Sequence, residues 1–189
     1  MNQRKKAIIV GVLILLAYSM LGSGNPDAKV LGMFLEVISG AAVIGISIIM
    51  FPFFKPFNNK ISLVYIIFRI MEDSLMIITG ILFLSNNIQF LEIRDGIWTG
   101  HAYVFIAGAF VFYYLLYLSK LIPTWLSGWG IIATVLLLIA NLLELANVIP
   151  SIMILYLPTI ACEVILAIWL IVKGFNQSAI DSILTQSST

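Results

Sequence analysis

The sequence is poor in charged residues, cysteine and histidine. Only 10% of its 189 residues are charged, and it holds one cysteine, Cys162, and one histidine, His101. A single cysteine excludes an intrachain disulfide and a thiolate metal cluster within one chain. A single histidine excludes a histidine-rich zinc site and a bis-histidine haem within one chain. The net charge is +1 and there is no basic tract, so we expect no nucleic-acid partner.

Hydrophobic residues, in contrast, make up 61% of the sequence, whereas soluble domains are roughly half apolar. They lie in blocks of about 15 to 25 residues, which match a hydrocarbon core of about 30 Å at about 1.5 Å per helical residue. Runs such as IIATVLLLIA at 131–140 lack the alternation of a transmembrane β-strand. We therefore predict an all-α fold, a polytopic transmembrane helical bundle.

About six spans are predicted from these blocks. They cover 7–21, 30–54, 61–84, 97–118, 128–148 and 152–172. We assign 1–175 to a single transmembrane helical domain and 176–189 to a polar cytoplasmic tail. The first block is short and follows Arg4, Lys5 and Lys6, so a cleavable signal peptide is an alternative to a retained span.

Lysine and arginine are distributed unevenly between the two predicted sides. Positively charged flanks remain in the cytoplasm, and most of these residues fall on the side of the N-terminus. This predicts a multi-pass protein of the cell membrane with both termini in the cytoplasm. The inner residues are Arg4, Lys5, Lys6, Lys55, Lys60, Lys120 and Lys173, and the outer ones are Lys29 and Arg94.

Ionisable residues interrupt the apolar spans and are the strongest functional signal in the sequence. They are Glu36, Arg69, Glu72, Asp73, Glu144 and Glu163. A charged side chain near the centre of a span costs about 2.5–3.5 kcal/mol, so these residues cannot face lipid as free ions. In the third span, Arg69, Glu72 and Asp73 share one helix face at spacings that allow contact. We predict a buried arginine–carboxylate cluster there.

The depth of these residues suggests two groups. Counting about 1.5 Å per residue places Glu72 and Glu163 near the bilayer midplane, where they would join Arg69 and Asp73. The remaining acids and His101 lie nearer the outer side and could line an outward-facing cavity. We assign no catalytic residue and no metal ligand, and the cofactor is unknown. The candidate sites for a ligand, an ion or a proton are Arg69, Glu72, Asp73, Glu163, Glu36, Glu144 and His101.

Each candidate also has a purely structural interpretation. Arg69 and its neighbouring acids could hold helices together through charge-assisted bonds. Glu163 could be the interhelical partner of Arg69, or a protonated acid that donates one bond. Glu36 and Glu144 are shallow enough to reach interfacial water, and His101 could be a solvated residue near a helix end.

Four stretches of the sequence resemble a bacterial membrane protein family known as domain of unknown function 4386. They are KKAIIVGVLILLA at 5–17, FRIMEDSLMIITG at 68–80, YYLLYLSKLIPTWLSGWG at 113–130 and LPTIACEVILAIWLIVKGF at 157–175. The resemblance covers nearly the whole chain and implies a compact multi-span bundle. It matches Arg69, Glu72 and Glu163 to recurring polar positions. Thr124 departs from it, since a basic residue is expected after the proline. The family implies no activity.

Three roles fit these features. The first is a transporter-like or small-molecule or lipid-binding bundle, which predicts a water-accessible cavity that reaches Glu163 or Glu72. The second is an accessory or sensor subunit that binds a partner helix through polar stripes. The third is an intramembrane lipid-modifying enzyme in which acids, or an acid with His101, exchange protons. The expected partners are the lipid bilayer, a lipid or small-molecule ligand, and a second copy in a homo-oligomer.

Overall fold

The computed structural model describes residues 2–150 and 153–186, and within them the chain is α-helical without strands. This confirms the all-α fold class. The predicted start of the sixth span at 152 and the end of the tail at 187–189 lie outside the described residues. The α-helices are α1 Gln3–Ala17, α2 Lys29–Phe54, α3 Asn59–Phe83, α4 Ile88–Ser119, α5 Thr124–Leu145, α6 Leu157–Val172 and α7 Gln177–Gln186.

Several of these helices can cross a membrane by length and composition. Four segments qualify alone, and the bent pair of α6 and α7 is a fifth candidate. Helix α3 has 25 residues, which is long enough for a core of about 30 Å, but Arg69, Glu72 and Asp73 lower its hydropathy. The chain is therefore a multi-pass membrane protein, consistent with the predicted six or so spans. The four segments are Gln3–Gly22, Pro26–Phe54, Ile88–Ser119 and Thr124–Leu145.

Helix α4 begins earlier than the sequence predicted. The fourth span was placed at 97–118, whereas α4 starts at Ile88 and has 32 residues, or about 48 Å of helix. The side chain of Asn87 accepts a hydrogen bond from the amide of Gln89 at 2.9 Å and caps the helix. Because Glu92 and Arg94 lower the hydropathy of this first part, the sequence pattern did not indicate that the helix extends through it.

The first six helices form a closed ring. Each packs against the next in sequence, and α6 packs against α1. Short connections make consecutive helices antiparallel, so the start of α1 and the end of α6 lie at the same end of the ring, the terminal end. A Cβ atom at Gly11 would lie 2.6 Å from the carbonyl oxygen of Ala167. The close contact between α1 and α6 that closes the ring therefore requires glycine.

The half of the ring interior near the terminal end is filled by apolar side chains. Tyr65 and Phe112 stack with ring centroids 5.6 Å apart, and Phe54 packs edge-on against both rings. These rings belong to a core that includes Val10 of α1 and Leu166 of α6. In the opposite half, the interior of the ring is open and forms a cavity.

Helix α7 lies across the terminal end. The chain bends by 82° between α6 and Gln177–Ile183. The buried residues Ala179, Ile180 and Ile183 join the apolar core. The sequence indicated only a polar tail here because few apolar residues, Ala179, Ile180, Ile183 and Leu184, interrupt the polar ones. The domain boundary after residue 175 stays a prediction.

Gly174 makes this bend, and its replacement by alanine is expected to lower the free energy of unfolding by about 1–2 kcal/mol. Gly174 has φ of 79°, a left-handed conformation that favours glycine just after a helix. A Cβ atom there would also lie 2.7 Å from Nη1 of Arg4. Through Nη2, Arg4 donates to the carbonyl oxygens of Ile171 and Val172 at 2.6 and 2.9 Å.

Unfolding by sodium dodecyl sulfate in mixed micelles, followed by circular dichroism, measures the effect. Gly128→Ala is the control, because Gly128 lies in α5 and a Cβ atom there would meet nothing within 4 Å. Equal unfolding curves for the Gly174→Ala variant and the parent protein would contradict the prediction.

Candidate binding cavity

The open half of the ring contains a cavity of about 640 Å³. Side chains from all six helices of the ring line it. Its lining starts at the helix ends opposite the terminal end, at Leu21, Trp98 and Tyr156, and extends to Glu72 and Glu163. Because Glu72 is residue 14 of the 25 in α3, the cavity reaches about halfway along the bundle.

The structure brings most of the predicted site residues to this cavity. The sequence separated His101 and Glu144 from the midplane acids, but the ring places both groups around one space. Arg69 and Glu36 do not line it. The site residues in the lining are Glu72, Asp73, His101, Glu144 and Glu163.

Arg69 lies between the cavity and the apolar core. Its Nη1 donates to Oε2 of Glu72 at 2.6 Å, one helical turn away. The guanidinium carbon lies 5.7, 5.9 and 5.8 Å from the ring centroids of Tyr65, Phe105 and Phe112. These distances suit cation–π contacts, so Arg69 is held both by an acid and by aromatic rings. Of these residues, Glu72 and Phe105 line the cavity and form its floor, and Arg69 lies directly behind them.

Glu163 is bonded to a residue that the sequence analysis did not select. Its Oε2 accepts a hydrogen bond from the hydroxyl of Tyr18 at 2.7 Å. Tyr18 follows α1 directly, and the packing of α1 against α6 brings it to Glu163. Glu163 is also close enough to Arg69 and Glu72 to interact with them electrostatically. No local pattern could reveal the contact with Tyr18, because the two residues are 145 positions apart.

Asp73 and His101 line the cavity, and each has a buried polar atom without a protein partner in the described part of the chain. Asp73 is 1% exposed and His101 is 7% exposed. Among the described residues, Oδ2 of Asp73 and Nε2 of His101 have no hydrogen-bond partner. The imidazole of His101 stacks on the indole of Trp98 with centroids 5.8 Å apart. Since a buried polar atom without a partner costs about 1–3 kcal/mol, these two atoms mark the part of the lining that is least satisfied by protein contacts.

Glu144 lies at the cavity mouth. It is the penultimate residue of α5 and is half-buried. Its Oε2 accepts from the hydroxyl of Tyr156 at 3.4 Å, whereas Oε1 has no hydrogen-bond partner among the described residues. One carboxylate oxygen of Glu144 is therefore buried at the edge of the cavity without a hydrogen bond from the described residues.

Glu36 belongs to a separate polar knot outside the cavity lining. It is fully buried and accepts hydrogen bonds from Ser23 at 3.0 Å, Thr79 at 2.9 Å and Nη2 of Arg94 at 2.7 Å. The guanidinium of Arg94 also lies 4.4 Å from the ring centroid of Phe83. From the sequence alone, Arg94 is only a flanking charge, because its pairing with Glu36 depends on the contact between α4 and α2.

The described residues contain no group of three or more histidine, cysteine, aspartate and glutamate side chains placed to hold a metal ion. The chemistry that the cavity offers is therefore that of separate carboxyl groups, one imidazole and aromatic rings. Carboxylate oxygens accept hydrogen bonds, and aromatic faces attract cations.

Comparison with protein-family models places α2 to α6 in one family. Residues 16–88 and 84–174 match the model of a domain of unknown function, DUF4386. The matched residues extend from the end of α1 to just beyond α6 and include every residue that lines the cavity. Neither the curated proteins nor the solved structures yield a match to the chain. Since the family model covers well over half of the sequence, this chain belongs to the family of membrane proteins with the domain of unknown function DUF4386.

Proposed function

We propose that this integral membrane protein binds a small molecule inside its helical ring, as a transporter-like binding protein does. The observation that carries the proposal is the cavity of about 640 Å³, whose lining includes Asp73 and His101, two residues with buried polar atoms that lack protein partners among the residues that the structure describes. Small-molecule sites typically measure about 300–1,000 Å³ and combine an apolar lining with a few polar groups. The cavity has both properties.

The inward placement of the ionisable residues also supports this role. The six ionisable residues predicted inside spans are all buried or half-buried in the isolated chain. An accessory subunit that binds a partner helix would instead place polar side chains on its lipid-facing surface. The ring therefore favours an internal ligand over a partner helix.

A cavity-filling substitution tests the proposal. Ala102 lines the cavity, so Ala102→Phe places a phenyl ring inside it and is expected to prevent binding. Native mass spectrometry of protein purified in mild detergent should show a bound small molecule on the parent protein and at least tenfold less on this variant. Ala161→Phe is the matched control, because Ala161 is exposed on the outer surface of α6. Equal occupancy in the parent and Ala102→Phe, or no bound molecule on the parent, would contradict the proposal.

The same spectra address two further predictions. An intramembrane lipid-modifying enzyme would use this cavity too, since His101 lies in it with four acids. In that case the bound molecule would change mass during incubation, whereas a binding protein returns it unchanged. The number of chains in each complex tests the predicted homo-oligomer.

We further propose that both termini are cytoplasmic and that the protein resides in the cell membrane. The cavity mouth lies opposite the terminal end, so the cavity would face outward. A green fluorescent protein fused to the C-terminus is expected to fluoresce, and alkaline phosphatase fused there is expected to be inactive. Active phosphatase with dark fluorescent protein would reverse the orientation.

A further inference from the structure

The charged residues that line the cavity are all acids. Its lining contains the carboxyl groups of Glu72, Asp73, Glu144 and Glu163 and, within the described part of the chain, no lysine or arginine. Arg69 lies outside the lining and is already bonded to Glu72. An excess of negative charge inside a lipid-surrounded bundle is unfavourable unless cations or protons neutralise it. The cavity therefore attracts positive charge.

Two carboxylate oxygens of the lining residues have no hydrogen-bond donor within the described chain. Tyr18 donates to Glu163 and Tyr156 donates to Glu144. Oδ2 of Asp73 and Oε1 of Glu144 have no donor among the described residues. Only 1% of the surface of Asp73 is exposed, so bulk water does not supply the missing hydrogen bond. A ligand that complements this lining brings N–H donors.

Aromatic and aliphatic side chains form the remainder of the lining. Trp98 and Phe105 are exposed to the cavity from α4, and Met76, Leu137 and Ile160 lie around them. Aromatic faces attract cations, and the floor already shows this, because Phe105 contacts the guanidinium of Arg69. Because these aliphatic side chains offer no hydrogen bonds, a ligand that fills the cavity also needs an apolar body.

We propose that the cavity binds organic cations, with an ammonium or similar N–H group against Asp73 and Glu163 and an apolar body against Trp98 and Phe105. This assignment rests on the proposed function and names the class of its ligand. The absence of a metal-binding group among the described residues agrees with a ligand whose charge is carried by a larger molecule.

Two dyes of similar ring number and opposite charge provide the test. Ethidium is an aromatic cation with amino donors, and fluorescein is an anion. Fluorescence anisotropy of each dye is titrated with full-length protein in detergent, with the detergent alone as the blank. We expect saturable binding of ethidium and no saturable binding of fluorescein.

Two isosteric variants localise the binding. Asp73→Asn and Glu163→Gln each remove one negative charge and are expected to weaken ethidium binding about ten- to hundredfold. Glu92→Gln is the control, because Glu92 lies in α4 but is exposed outside the lining. Thermal stability separates function from folding: Asp73→Asn removes an unpaired buried acid, so it is expected to melt no lower than the parent while it loses affinity.

Competition distinguishes two sources of the cation. Displacement of ethidium by octylammonium identifies a free amine as a sufficient ligand, and displacement only by a diacyl lipid with a cationic head group identifies a membrane lipid. Either displacement supports cation binding.

Other outcomes separate the two proposals. Saturable fluorescein binding that Ala102→Phe abolishes, without ethidium binding, would overturn the cation assignment and leave the cavity as a binding site. Ethidium binding that all three cavity variants retain would also overturn it, since the dye would then bind elsewhere. If neither dye binds and no molecule is found on the purified protein, both proposals fail together.

Discussion

Replacing Arg69 with leucine is expected to lower the free energy of unfolding by about 3–5 kcal/mol, the range for breaking a buried ion pair by removal of one partner. Arg69 is 7% exposed and Glu72 is 4% exposed, and Glu72 loses its bond to the guanidinium at 2.6 Å. The leucine also loses the cation–π contacts with the aromatic floor. Unfolding by sodium dodecyl sulfate in mixed micelles measures the change.

Two further variants show that charge, and not volume, causes this loss. Lys60→Leu removes a basic residue from the exposed start of the same helix and is expected to leave stability nearly unchanged. Arg69→Leu combined with Glu72→Gln removes both charges and should recover most of the loss, because neutral replacement of a buried pair is often tolerated. If the double variant is no more stable than Arg69→Leu alone, the unpaired charge of Glu72 does not cause the loss of stability, and the prediction fails.

The second large effect is expected at the polar knot around Glu36. Arg94→Met leaves the carboxyl group of Glu36, which is fully buried, with only hydroxyl donors. The free energy of unfolding is expected to fall by about 3 kcal/mol, at the low end for a broken buried pair. The low end applies because the side chain of Arg94 is 13% exposed. The same micelle unfolding assay reports the change.

A double-mutant cycle with Glu36→Gln isolates the pair. The combined variant is expected to lose less than the sum of the single losses by at least about 1 kcal/mol, as for residues in direct contact. Asp95→Asn is the control, since Arg94 also approaches Asp95 at 3.4 Å but the side chain of Asp95 is 76% exposed and such pairs contribute little. A strictly additive cycle would refute the coupling between Arg94 and Glu36.

The sequence predicted those features that depend on neighbouring residues in one helix. The bundle follows from long apolar blocks, and the bond between Arg69 and Glu72 follows from a spacing of three residues. The contacts of Tyr18 with Glu163 and of Arg94 with Glu36 join residues 145 and 58 positions apart. They depend on how the ring closes and how far α4 extends, and neither leaves a periodic signal.

Hydropathy also fails to predict a helix that has only a small share of apolar residues. The first turns of α4 mix apolar residues with Glu92 and Arg94, and α7 has only a narrow apolar face. In α7, tertiary packing covers Ala179, Ile180 and Ile183, which an average over neighbouring positions does not detect. In the first turns of α4, Ile88, Phe90 and Ile93 stay exposed, and the helix is held instead by the Asn87 cap and the bond from Arg94 to Glu36. The cavity itself is a property of the ring, since each helix contributes only a few of its lining residues.

Helix α7 and the stacked rings of Tyr65 and Phe112 lie at the terminal end of the ring, so the cavity ends inside the bundle. A solute that enters at the mouth meets the acids of the cavity lining, and behind them Arg69 and the apolar core form a plug. Within the described residues it therefore has no continuous aqueous route to the other side. A cavity closed in this way could hold the proposed ligand from one side without a leak of ions across the membrane. Any passage through it would have to be coupled to displacement of that plug.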